Sequence, residues 1–149
     1  MRRSRINPKP RRDGPMPPEV YAAVMGDRAR HRCEIGVPRI CTLNAAEWAH
    51  RQRRQRGNDV PSNGLAACRT CHAWCHAHPV EAKAKGWMVH SHHPCPAEVP
   101  VLIRRKWWLL DDEGGMEEVK EVEEKKRPPE CWKHCRGPIT PHHNQKGRA

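Results

Sequence analysis

Apolar residues in this chain come in short groups separated by Pro, Gly and charged positions, so the elements they predict are short. Pro17-Pro18-Glu19 followed by Val20, Tyr21, Val24 and Met25 predicts a helix with Pro in its first turn. Residues 33–63 predict a β-hairpin with a long loop and with His50 on its second strand. Residues 68–77 predict a knuckle that runs into a helix. Residues 79–85 predict a second short helix, stopped by Gly86. Residues 99–103 and 107–110 predict a C-terminal β-hairpin joined by Arg104-Arg105-Lys106 and followed by a turn at 111–115. Trp107 and Trp108 either cover the core or stack on bases. Met116, Val119 and Val122 then recur every three residues among charges, a narrow stripe that predicts a helix.

Composition narrows what these elements can build. The chain has 149 residues, no Phe and one Tyr, and its mean hydropathy is −0.97. A core this small needs a staple such as a metal. No apolar run approaches the roughly 20 residues that cross a bilayer, so no membrane partner is expected. The N-terminus, MRRSRINPKPRRDG, has no apolar signal-peptide stretch, which predicts a cytoplasmic protein with reduced thiols.

The cysteines supply the staple. Cys68-x2-Cys71 is a knuckle spacing, in which one turn presents two thiolates to one ion. Cys33-x7-Cys41 closes on the same ion from a longer loop. Two such pairs fit a structural zinc held by four cysteines, with two disulfides as the alternative pairing of the same residues. If a helix starts after the knuckle, His72 and His76 stand at i and i+4 on one face and form a pincer for a second, divalent metal. The fold class is a small zinc-stapled α+β domain. The tail holds Cys131, Cys135, His142 and His143, four residues that suit a second zinc knuckle or else a tail without structure. His90, His92, His93 and Cys95 read as a polar linker.

The set Cys33, Cys41, His50, Asn63, Cys68, Cys71 and His72 resembles the HNH, or ββα-metal, endonuclease motif of the His-Me finger class. The stretch PSNGLAACRTCHAWCHAHPVEAKAKGWMV is similar to small HNH proteins of tailed phages of actinobacteria. The resemblance covers about residues 28–115 and rests on residue type and spacing together. It implies a ββα-metal core flanked by short helices, with His50 as the general base that activates water. Asn63 would hold the ββ loop by hydrogen bonds and so orient His50. His72, helped by His76, would bind one catalytic Mg, Mn, Ni or Zn ion. Family members usually carry a metal ligand directly before the base. This chain has Ala49 there, and Glu47, on the same side of a strand, is the candidate replacement.

Charge agrees with a nucleic-acid partner. Residues 1–110 carry 20 Lys and Arg against 8 Asp and Glu, whereas residues 111–149 carry 8 against 9. Arg51, Arg53, Arg54 and Arg56 follow His50 directly and are expected to meet DNA phosphates. The expected organisation is a basic disordered arm over 1–16, a nuclease domain over 17–115 and a charged tail over 116–149. The leading reading is a metal-dependent endonuclease that nicks or cleaves DNA. The resemblance places it near phage genome packaging, beside the terminase, in the cytoplasm of a bacterial host. A homing or restriction role is the alternative within the enzymes. The others are a non-catalytic zinc module that binds nucleic acid and an accessory of the packaging machinery.

Overall fold

A computed structural model describes residues 14–55 and 57–120. The arm residues 1–13, Arg56, Val122 and the tail residues Cys131, Cys135, His142 and His143 lie outside them. The described chain is a small α+β fold with a few short helices and two small antiparallel sheets. Helix α1 (Pro18–Ala22) carries Pro in its first turn, where no amide is needed, and runs on as a π-helical turn, Ala23–Arg28. The first sheet pairs β1 (Glu47–His50) with β2 (Gly64–Ala67), Ala49 facing Leu65 and His50 facing Gly64. Helices α2 (Arg69–Ala77) and α3 (Pro79–Ala84) follow. The second sheet has the order β3 (Val101–Ile103), β4 (Lys106–Leu110), β5 (Met116–Glu118).

Two predicted elements are corrected. His50 lies at the end of the first strand of its hairpin, not on the second. The partner strand is the apolar Gly64–Ala67, buried throughout, while residues 33–44 are irregular apart from one bridge, Arg32 to Asn44. Left-handed backbone at Gly36, Arg39 and Leu43 keeps that segment from forming a ladder. The helix predicted to start at Met116 is instead strand β5. Met116 pairs with Leu110 and packs on the core, so the sheet extends past residue 115 and takes three strands.

The main core gathers Leu65, Ala67, Trp87, Val101, Ile103 and Leu110 around the buried cysteines. Trp108 packs against it and donates its indole N–H to the Ile103 carbonyl at 3.3 Å. A smaller cluster of Val24, Met25, Ala29 and Ala66 joins the first helix to β2. A buried ion pair ties the same elements. Arg28 grips both carboxylate oxygens of Glu34 at 2.8 Å and donates to the carbonyls of Pro61 and Gly64. Glu34 in turn accepts the Ala66 amide at 2.8 Å. Every charged atom of the pair is thus hydrogen-bonded, the condition under which burial of an ion pair is tolerated.

Gly86 ends α3 with φ +70°, and a Cβ there would run into the Pro100 carbonyl. Its own carbonyl accepts the Arg51 Nε–H at 2.8 Å. Gly86→Ala combines backbone strain with that clash and is expected to cost about 3 kcal/mol in urea unfolding. A cost of a few tenths would show that α3 and β3 separate freely.

Candidate metal and histidine site

The chain brings Cys33, Cys41, Cys68 and Cys71 together, their sulfurs all within 4.8 Å of one another. None is in a disulfide. Cys68 occupies the position just before α2 and Cys71 lies in its first turn, so the helix start fixes two thiols, while the loop from Cys33 to Cys41 wraps back to supply the others. The Val37 amide points at the Cys71 sulfur and the Leu43 amide at that of Cys41, each at 3.4 Å. A tetrahedral zinc with Zn–S near 2.3 Å needs sulfurs about 3.8 Å apart, within reach of this cluster. The electrostatics fit the same ion. Burial pushes the Cys33 and Cys71 thiols up, and their neighbouring thiols push Cys71 further. At Cys68 burial acts upward too, but hydrogen bonds from Thr70, Thr42 and the Cys71 backbone outweigh it and bring the thiol down to about 5. Four packed thiolates repel one another unless a cation sits among them, and a bound cation deprotonates them outright. The cluster can therefore hold a structural metal such as zinc.

Cys75 is a further buried thiol, pushed up to about 12 by burial and by the nearby Cys33. It lies outside the group of four. Among the described residues that group is the one set of three or more metal-binding side chains whose donor atoms all converge.

The histidines form two separate constellations. The Nε2 of His50 is 2.8 Å from Asp59 Oδ1, and Arg54 holds the other oxygen of Asp59 at 2.7 Å. Arg54 keeps the Asp59 carboxyl below the usual carboxylate range, with His50 acting the same way against partial burial. An ionised Asp59 accepts the His50 Nε2–H, which leaves the lone pair on Nδ1. Asn63 is fully buried at the foot of the same loop. Its Oδ1 accepts the Gln52 amide at 2.7 Å, and its Nδ2 donates to the Asn58 carbonyl at 3.0 Å. Asn63 therefore holds both sides of the loop that carries Asp59 to His50.

On α2, His72 and His76 place their Nε2 atoms 3.2 Å apart. Two nitrogens bound at about 2.0–2.1 Å to one metal stand roughly that far from each other. Glu47 meets His72 on the opposite nitrogen, Oε2 to Nδ1 at 2.8 Å, and Arg69 approaches its other oxygen at 3.5 Å. Glu47 thus takes a different place from the one expected of it. In this structure it orients the His72 ring from the Nδ1 side, with Nε2 turned toward His76. Ala49 is buried in the core. Strand alternation puts Glu47 and Ala49 on one face of β1 and Trp48 and His50 on the other. Among the described residues no hydrogen bond or ring contact joins the His50 group to the His72 group.

The arginines after His50 divide. Arg51 is 0% exposed and donates to four backbone carbonyls, so the expectation that it meets DNA is corrected. Arg54 is engaged with Asp59 and with the Gly14 carbonyl. Arg53 is exposed. Asp59 escapes the motif reading, yet it is the one acidic residue between Glu47 and Glu81, an isolated carboxylate in an arginine-rich loop. No helix among the described residues is long and apolar enough to cross a membrane. No family model, curated protein or solved structure matches this chain.

Proposed function

We propose that the chain is a metal-dependent endonuclease that hydrolyses DNA phosphodiester bonds at a ββα-metal site. The observation that carries this reading is the converging Nε2 pair of His72 and His76, with Glu47 fixing the His72 ring from behind. His72 and His76 would hold the divalent ion, and water and substrate phosphate would complete its shell. That ion, Mg, Mn, Ni or Zn, would supply charge neutralisation at the reacting phosphate. His50 Nδ1 accepts a proton from the water whose oxygen attacks phosphorus, while Asp59 holds the Nε2–H and stabilises the imidazolium that forms. The P–O3′ bond breaks and the leaving oxygen takes a proton from solvent. Asn63 keeps the loop in the shape that brings Asp59 to His50. A second reading, a zinc module that binds nucleic acid without cutting it, is favoured by Ala49, which is buried and offers no ligand.

Supercoiled plasmid incubated with each of the four metals separates the two. Wild-type protein is expected to nick or linearise it, and His50→Ala to lower the rate by about 10²–10⁴-fold. Equal nicking by His50→Ala would remove His50 from the mechanism. Salt-sensitive DNA binding without cleavage in any metal would select the second reading. Glu47→Ala is expected to raise the half-saturating metal concentration by about 10–100-fold, and an unchanged value would show that Glu47 does not serve the metal.

A further inference from the structure

Two hollows share Arg104 in their walls, and the first has Cys33 and Cys41 of the cysteine cluster in its lining. The first is lined by Arg32, Arg39 and Leu43 as well and has no carboxylate in its lining. The second adds Arg30 and a single acid, Asp27, while its Arg28 is already committed to Glu34. Arg30, Arg32, Arg39 and Arg104 are all exposed, and none joins an ion pair among the described residues. Arg104 makes one long hydrogen bond, to the Ala29 carbonyl at 3.5 Å. The backbone adds a second observation. Arg30, Arg39, Leu43 and Arg104, four of the six non-glycine residues with positive φ among the described residues, have φ of 50°, 70°, 71° and 49°, a region that a side chain disfavours and that glycine fills freely. A turn that only had to close would do so more easily with glycine. Each of these instead holds a long side chain outward, and strain of this kind points to a task for that side chain.

We propose that this groove is a second contact for the phosphate backbone of duplex DNA, separate from the histidine site. Neither hollow includes Glu47, His50, His72 or His76 in its lining. Four guanidiniums without an acidic partner along one open groove match a row of phosphates, which arginine grips in two-pronged fashion. The exposed Leu43 in the first hollow's lining offers an apolar contact of the kind a sugar edge accepts. The contact positions the duplex and reads no sequence. The inference rests on the nuclease reading only for the choice of DNA as the polymer.

The test is anisotropy of a labelled DNA duplex against salt, with no divalent ion added, in a His50→Ala background. The R32Q/R39Q/R104Q variant is expected to bind at least about 10-fold more weakly than its parent at roughly 0.1 M salt. Its slope of log affinity against log salt should be shallower by about 2.7, three released contacts at roughly 0.9 each. Zinc content equal to the parent's shows that the variant is folded. In the opposite direction, Asp27→Lys adds a charge to the lining and is expected to tighten binding and steepen the slope by about 1. Unchanged affinity and slope in both variants overturn the groove, as does absence of DNA binding by the parent. Loss of slope in the triple variant supports the groove even if the wild-type protein cuts no plasmid, and that outcome would overturn the nuclease reading alone.

Discussion

Stripping zinc with a strong chelator under reducing conditions is expected to unfold the domain. The four cysteines do not decorate a finished core; three lie inside it and the half-buried Cys41 packs against it. Cys33, Cys68 and Cys71 belong to the same buried cluster as Leu65, Val101 and Leu110, and Cys71 is 0% exposed. Structural zinc contributes about 10–16 kcal/mol of apparent binding energy, against a total stability of about 5–15 kcal/mol for an ordinary domain. Loss of the ion therefore exceeds what the remaining apolar contacts supply. Tryptophan fluorescence reads the collapse, because Trp87 is buried in that cluster and Trp108 packs on it. Cys71→Ser is expected to lose one zinc per chain relative to wild type and to unfold. Taking the difference removes any contribution from Cys131, Cys135, His142 and His143. Cys75→Ser is the control, since that thiol is also buried but outside the four. It should lose stability and keep its zinc. Equal zinc content in wild type and Cys71→Ser would show that the cluster does not bind the metal.

The cluster is legible in the sequence because metal ligation is written in spacing. Cys68-x2-Cys71 can reach one point only through a single turn, and any loop that returns Cys33 and Cys41 completes the set. The i, i+4 relation of His72 and His76 is legible for the same reason, since a helix of known pitch fixes it. What stays hidden depends on where side chains turn after folding. Glu47 can be placed on one face of β1 from alternation, but which nitrogen of His72 it meets depends on how α2 crosses the strand. Asp59 comes to His50 through a loop that Asn63 closes and Arg54 braces. The strand β5 reads as helix in the sequence because Met116, Val119 and Val122 fit a three-residue stripe. The free edge of β4 offers Met116–Glu118 a ladder that local periodicity does not reveal. Arg51 stands in a row of arginines, and composition treats the members of a row alike.

That row contains the second large effect. Arg51→Met is expected to cost at least about 4 kcal/mol, enough to unfold much of the population. The Arg51 guanidinium donates through Nε to Gly86, through one terminal nitrogen to Ser62 and Pro96, and through the other to Val99, at 2.6–3.0 Å. Its amide donates to the Asn63 carbonyl, and its carbonyl accepts the Val89 amide at 2.7 Å. One side chain thus joins the β1–β2 loop, the end of α3 and the entry to β3. Burial pulls the guanidinium down to about 9, with the charge of Arg28 adding to this and that of Glu34 opposing it. The group therefore remains charged at neutral pH and supplies charge-assisted hydrogen bonds to all four carbonyls. Methionine fills the volume and leaves those carbonyls without their donor, each costing about 1–3 kcal/mol where water cannot enter. Arg51→Lys keeps the charge but offers three donors from one point, too few and too concentrated for four carbonyls in a ring, so it should recover only part of the loss. Urea midpoints of the three proteins measure this. A phosphate-binding arginine gives the opposite pattern, with the midpoint unchanged and DNA affinity reduced. That result would return Arg51 to the surface role its neighbours suggest.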